Sequence, residues 1–145
     1  YDFVFLDAFT PTKCPCLWTL DFFKCIYNHL NPGGMILTYS NSATVRNAFI
    51  NSGFIIKKIY SKSMNKYTGT VAIKNGSDNF YINNELVHDL SEFDLGLLKT
   101  KAGIFYRDVN LNLANDEIIA SRNLDVKNSD LISVSQYKKS RINFC

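Results

Sequence analysis

The sequence predicts an α/β fold: a mostly parallel sheet flanked by helices, with one antiparallel strand. Three observations lead there. In the first half of the chain, segments follow the order strand, helix, strand, helix, strand, strand. The strand-sized segments are continuously apolar rather than alternating, as in Phe3-Val4-Phe5-Leu6, which suits strands covered on both faces. The last two strands are joined by a shorter link without helical pattern, which suggests one antiparallel strand.

The elements follow in order. Asp2 to Asp7 reads as a buried strand ending in a carboxylate, and a loop with Pro11 and Pro15 comes after it. Thr19 can cap the next helix, Asp21 suits its positive end, and Phe23, Ile26, Tyr27 and Leu30 make its apolar stripe. Asn31-Pro32-Gly33-Gly34 stops it. Met35 to Tyr39 is a second strand. Ser42 can cap a second helix with Val45, Ala48 and Phe49 inward, and Gly53 ends it. Phe54 to Tyr60 and Gly69 to Lys74 are the third and fourth strands. Composition then shifts to Asn, Gly, Ser and Asp near Asn75 to Asn79, which places a boundary there: residues 1–75 form one unit and residues 76–145 a C-terminal extension packing on it. In the extension, residues 80–90 suit a short hairpin or irregular arm around Asn83-Asn84. Ser91-x-x-Asp94 starts a short helix to about Lys99, and residues 101–108 form a loop. Asn112 to Arg122 is helical, with Leu111, Ala114 and Ile118 on one face, and Lys138, Lys139 and Arg141 form a basic tail.

A chain of 145 residues, 46% hydrophobic and 20% charged, is large and apolar enough for one packed core, which excludes a disordered tail, a collagen-like chain and a coiled coil. No apolar run approaches the roughly 18 residues of a membrane span. The start at Tyr1 carries no signal-peptide pattern, and an apolar strand at the first residue suggests a piece of a longer protein. The net charge of +3 is unevenly spread: residues 1–75 hold 8 basic and 3 acidic side chains, residues 76–145 hold 8 and 10. Lys57, Lys58, Lys62, Lys66 and Lys74 follow one another with no acid between them, which could serve a polyanion but on charge alone reads first as a solvated strand edge. Cys14, Cys16, Cys25 and Cys145 read as reduced thiols of a cytoplasmic protein. Cys14-Pro15-Cys16 lacks zinc or redox spacing, and no metal is expected even though Cys25 and His29 share a helix face.

Ligands of open α/β sheets sit outside the carboxyl ends of the strands, where Asp7 and residues 38–42 fall. Asp7 can hold a cationic or amine group there, or can cap its own loop, and spacing leaves both open. Phe9, Lys13 and Trp18 suit either a stacked base with a phosphate nearby or a core tryptophan beside a solvated lysine. Thr38-Tyr39-Ser40 can line a pocket or cap the next helix.

Residues Phe5-Leu6-Asp7-Ala8-Phe9, followed by Pro11, Lys13, Pro15 and Trp18, resemble the signature of the MnmC-like methyltransferase family. That family comprises the methyltransferase part of the bifunctional tRNA 5-methylaminomethyl-2-thiouridine biosynthesis protein and its stand-alone relatives. The resemblance continues in Pro32-Gly33-Gly34, Thr38-Tyr39-Ser40, Val45-Arg46, Gly53-Phe54 and Gly69-Thr70-Val71-Ala72. Ala102-Gly103-Ile104, Tyr106-Arg107-Asp108 and the tail Tyr137-Lys138-Lys139 with Arg141 are similar to the C-terminal extension of the stand-alone members. Ala8 departs from a common Gly, and Phe105 and Val109 from common prolines.

The resemblance implies the C-terminal half of a class I, Rossmann-like methyltransferase dependent on S-adenosylmethionine (SAM), from its fourth strand onward. It implies methylation of 5-aminomethyl(-2-thio)uridine 34 in tRNA. Asp7 would be catalytic; Asp7, Ala8, Phe9 and Trp18 would flank the cofactor; Pro11, Lys13, Tyr39, Arg46, Lys138, Lys139 and Arg141 would meet the substrate. The sequence contains no G-x-G-x-x-G stretch, so weak SAM binding and no activity are expected of these residues alone, and no FAD chemistry. A FAD-dependent oxidase, fused or separate, is the implied companion. Other acceptors, a protein or small molecule, and a non-catalytic RNA-binding module are the rival expectations.

Overall fold

The computed structural model describes residues 1–76 and 85–142. The turn expected around Asn83-Asn84, part of the expected boundary and Cys145 lie outside the described residues. The elements are β1 (Phe3–Leu6), a 3-10 turn (Pro15–Leu17), α1 (Leu20–His29), β2 (Met35–Thr38), α2 (Ala43–Asn51), β3 (Ile55–Ser61) and β4 (Lys66–Ile73). The extension adds β5 (Val87–His88), α3 (Glu92–Leu97), a second 3-10 turn (Lys101–Gly103), α4 (Asn115–Asn128) and α5 (Val134–Ile142).

The sheet runs in the order β1-β2-β4-β3-β5. β1 and β2 are parallel, with Leu6 opposite Thr38. β4 lies antiparallel between β2 and β3, so β1, β2 and β3 all point the same way. This is the expected class, with β4 as the antiparallel strand. β5 is a second, two-residue antiparallel strand on the edge, beside Lys58 and Ile59.

Local chemistry accounts for the boundaries. The Thr19 hydroxyl accepts the Phe22 N–H at 3.0 Å and starts α1. Gly53 takes φ +106 to end α2, a conformation that costs other residues more. Gly69 is required by close approach, because a Cβ there would run into the carbonyl oxygen of Thr38. Ser91 and Asp94 close a reciprocal cap on α3.

The core lies between the sheet and the two helices α1 and α2. Leu6, Ile36 and Ala72 meet Trp18, Phe23, Leu30, Val45, Ala48, Phe49 and Phe54. Phe23 stacks on Phe49 with ring centroids 4.2 Å apart. The opposite face carries Met35, Val71 and Ile73, packed with Leu37, Ile59 and Val87. β1 departs from the expectation of burial on both faces. Leu6 is buried, but Phe3 is 57% and Phe5 78% exposed, and neither packs in a core cluster.

The extension straps the N-terminal ends of both helices. Tyr106 bridges to Thr19, and its carbonyl accepts the Leu20 N–H at 3.0 Å. Thr44 and Asn47 of α2 donate to the carbonyls of Ile104 and Gly103, both at 2.8 Å. Arg107 forks onto Asp21, at 3.0 and 3.1 Å, and the Asp108 N–H donates to the same carboxylate at 2.6 Å. Burial works against the Asp21 charge, but the Arg107 and Asp108 hydrogen bonds outweigh it and hold the carboxyl below its usual range. A depressed carboxyl stabilises the fold above the unfolded value of about 3.9 and loses that contribution as pH falls through its folded value. Urea midpoints of the chain and of Asp21→Asn should therefore differ most at neutral pH and converge in acid. A gap independent of pH would show that the strap does not depend on this charge.

Several boundaries differ from expectation: β4 starts at Lys66 rather than Gly69, and α4 runs on to Asn128 rather than Arg122. α4 starts at Asn115 rather than Asn112, because Leu111 takes φ +53 and the Asp108 carboxylate accepts the N–H groups of Asn112 and Leu113. The basic tail is helical: α5 begins where Ser133 and Gln136 exchange reciprocal hydrogen bonds at 2.9 and 3.2 Å.

Candidate active site

Asp7 leaves the carboxyl end of β1, and Thr38 and Tyr39 leave the neighbouring end of β2. Two cavities open there. One, of about 280 Å³, is walled by Asp7, Ala8, Pro11, Trp18, Tyr39 and Ser40. The other, of about 290 Å³, lies toward the exposed sheet face and is walled by Phe5, Asp7, Leu37, Tyr39, Ile59 and Thr68. Asp7 and Tyr39 border both.

Asp7 is exposed, and among the described residues no hydrogen bond or ion pair engages its carboxylate. The two readings left open by the sequence thus separate in the structure: Asp7 does not cap its own loop. The loop closes by other means. Lys13 and Cys14 donate to the Thr10 carbonyl, and the Trp18 indole donates to the Phe9 carbonyl at 2.7 Å. Trp18 is 3% exposed and edge-on to Phe23, so it is both core residue and cavity wall. The Phe9 ring is 74% exposed. Lys13 is exposed and lines neither cavity.

Residues 38–42 are held by a polar network that the sequence did not reveal. The Thr70 hydroxyl donates to the Ser40 carbonyl at 2.7 Å. Arg46 donates through Nε to Thr70 at 2.9 Å and through Nη2 to Asn41 at 3.0 Å. Arg46 is 6% exposed, and burial pushes its pKa down while the Asp94 carboxylate acts the other way. Arg46, expected to meet the substrate, sits buried in this network, where it secures the loop bearing Tyr39. Tyr39 itself is 73% exposed, at the mouth of both cavities.

Three lysines of the run are partnered by the extension. Lys57 meets Asp89 at 2.5 Å, Lys58 meets Asp94 at 2.7 Å and Lys62 meets Glu85 at 2.6 Å. Arg141 lies over the rings of Phe93 and Tyr137, on the contact between α3 and α5, while Lys138 and Lys139 stay exposed. Cys25 and His29 share a face of α1, with His29 Nδ1 2.8 Å from the Cys25 carbonyl. Cys14 and Cys16 face each other at 3.5 Å, and burial and the Cys14 contact raise the Cys16 thiol above its usual value. Among the described residues no helix is long and apolar enough to cross a membrane.

Parallel strands with an antiparallel strand inserted between the second and third match the second half of a Rossmann-like methyltransferase sheet. The chain belongs to the S-adenosyl-L-methionine-dependent methyltransferase family whose model matches residues 1–75. An uncharacterized protein of Methanocaldococcus jannaschii is 32% identical over 151 residues, covering 98% of this chain and 40% of that protein. The tRNA 5-methylaminomethyl-2-thiouridine biosynthesis bifunctional protein MnmC of Aeromonas salmonicida is 36% identical over 55 residues, covering 38% of this chain and 8% of that protein. The crystal structure of MNMC2 from Aquifex aeolicus matches with a TM-score of 0.72 and 30% identity over 87% of this chain and 38% of that one. The chain thus spans about two fifths, or less, of the length of these relatives.

Proposed function

We propose that this chain is the acceptor-side half of a SAM-dependent N-methyltransferase that converts 5-aminomethyl(-2-thio)uridine 34 of tRNA to its 5-methylaminomethyl form. One observation carries the reading: the unengaged Asp7 carboxylate between two cavities at the carboxyl ends of the strands. The name of the Aeromonas relative supports the acceptor. Residues 1–75 make up the second half of the catalytic domain in this reading, and residues 76–145 brace it. The uncovered faces of Phe3 and Phe5 suit contact with a first half.

The residues present fit one flank of SAM. The Ala8, Pro11 and Trp18 wall of the cavity suits the uncharged parts of the molecule. When bound, SAM supplies an electrophilic methyl group. Asp7 would take a proton from the acceptor ammonium and hold the freed amine so that its lone pair faces the methyl carbon; the N–C bond would form as the methyl–sulfur bond breaks and the neutral thioether leaves, and the proton would pass to the solvent that reaches the Asp7 side chain. The loop fixed by Arg46 and Thr70 aligns Tyr39 over the amine, and alignment of donor and acceptor supplies much of the remaining rate. Pro11 and Lys13 on the loop and Lys138 and Lys139 on α5 meet the RNA.

The test is transfer of labelled methyl from SAM to tRNA bearing 5-aminomethyluridine, using the protein with its first half. Label in the wobble nucleoside supports the reading; SAM binding without labelled tRNA overturns the acceptor and favours a protein or small molecule. Neutralising Lys138 and Lys139 to Gln, with Arg141 kept to hold α5, should weaken tRNA binding. It should also reduce the steepness of the salt dependence by about 1 to 2 in slope. An unchanged slope would place α5 away from the RNA.

A further inference from the structure

The β3–β4 hairpin reaches past the rest of the sheet. β2 pairs with β4 only as far as Thr38 opposite Thr70, whereas β3 and β4 pair on to Ser61 opposite Lys66. Because β3 runs parallel to β1 and β2, this overhang projects from the same sheet end as Asp7. A register shift between Ile59 and Tyr60 bends it.

The overhang carries more chemistry than a turn needs. Tyr60, Tyr67 and His88 form a triangle of rings, 5.4 to 5.6 Å between centroids. The Tyr67 hydroxyl lies 2.9 Å from His88 Nδ1, and His88 Nε2 lies 3.2 Å from the Glu85 carbonyl, which a neutral imidazole satisfies by accepting at Nδ1 and donating at Nε2. Tyr67 is 37% exposed and Met64 at the tip 56%. Lys58 sits 4.0 Å from the Tyr67 ring centroid, and Lys62 and Lys66 are exposed on either side of the tip. The arm is joined to the site: Ile59 and Thr68 line the cavity beside Asp7, and Asn41 donates to the Tyr67 carbonyl at 3.3 Å.

We propose that this arm is an RNA-binding surface that takes the single-stranded nucleotides flanking the reacting base. A base stacks against the exposed part of Tyr67, and Lys62 and Lys66 meet the phosphates on either side. Every base offers a face to an aromatic ring, so such an arm grips without reading sequence. The pairing of Lys62 with Glu85 leaves the lysine side chain 63% exposed, so a phosphate can replace the carboxylate there. The inference rests on the reading of tRNA as acceptor.

The test measures binding of an anticodon stem-loop RNA bearing 5-aminomethyluridine at the wobble position to the complete protein, across a range of salt, separately from methyl transfer. Tyr67→Ala and the double change Lys62→Glu with Lys66→Glu should each weaken binding about tenfold. The double change should also reduce the steepness of the salt dependence by about 1 to 2 in slope. Tyr67→Phe, which keeps the ring, should bind like the parent, and SAM affinity should be unchanged in all variants, which reports an intact fold. RNA affinity equal to the parent in both Tyr67→Ala and the lysine double variant would overturn the arm. Methyl transfer by the parent to the same RNA judges the acceptor independently: lost binding with no transfer would keep the arm and sink the reaction.

Discussion

Asp7→Asn in the complete protein should leave SAM affinity near that of the parent and lower turnover by about 10² to 10⁴. The amide has the size and shape of the carboxylate, and among the described residues no hydrogen bond ends on the Asp7 side chain. Stability should therefore hold. What the change removes is the group that can take a proton from the amine, and a protonated amine has no lone pair to offer. Single-turnover methyl transfer with saturating SAM measures the step directly. Turnover equal to the parent would remove Asp7 from the chemistry and leave the cavity walls to act by alignment alone. A rise in the Michaelis constant for RNA with unchanged turnover would make Asp7 a binding group.

The parts of this molecule readable from sequence are those decided by neighbours in the chain. The Thr19 cap, the inward face of Val45, Ala48 and Phe49, and the stop at Gly53 all depend on residues within a turn or two. α5 was readable by the same logic, since Ser133-x-x-Gln136 is a capping pattern, but its low apolar content hid it. The helical start expected at Asn112 failed because Asp108 offers its carboxylate to the very N–H groups a helix would have used. The site itself divides similarly. The position of Asp7 at a strand end follows from the strand, but its lack of partners is a fact of tertiary structure. Arg46 shows the limit most plainly. Its charge suggests a surface, whereas Thr70 and Asn41, 24 and 5 residues away along the chain, draw it inside. The lysines at 57 and 58 are neutralised by acids more than 30 residues distant, a pairing no local pattern reveals.

Phe23→Ala should cost about 3 to 5 kcal/mol of stability, measured by urea unfolding. The side chain is fully buried, stacks on Phe49 and abuts the edge of Trp18. Removing it opens a hole between α1 and α2 in the one layer that carries the larger of the two core clusters. With domain stabilities of roughly 5 to 15 kcal/mol, the loss takes a large share, and a chain with Phe3 and Phe5 uncovered has little to spare. The damage should also reach the site. Trp18 holds the Phe9 carbonyl and walls the cavity beside Asp7, so a tryptophan without its Phe23 support frees the 7–18 loop. Phe23→Leu, which fills most of the hole but cannot stack, should recover about half of the lost stability. A cost below about 1 kcal/mol for Phe23→Ala would mean that the ring layer is not what joins the helices to the sheet. In that case the strap from Tyr106 and Arg107 across Thr19 and Asp21 would have to carry α1 instead.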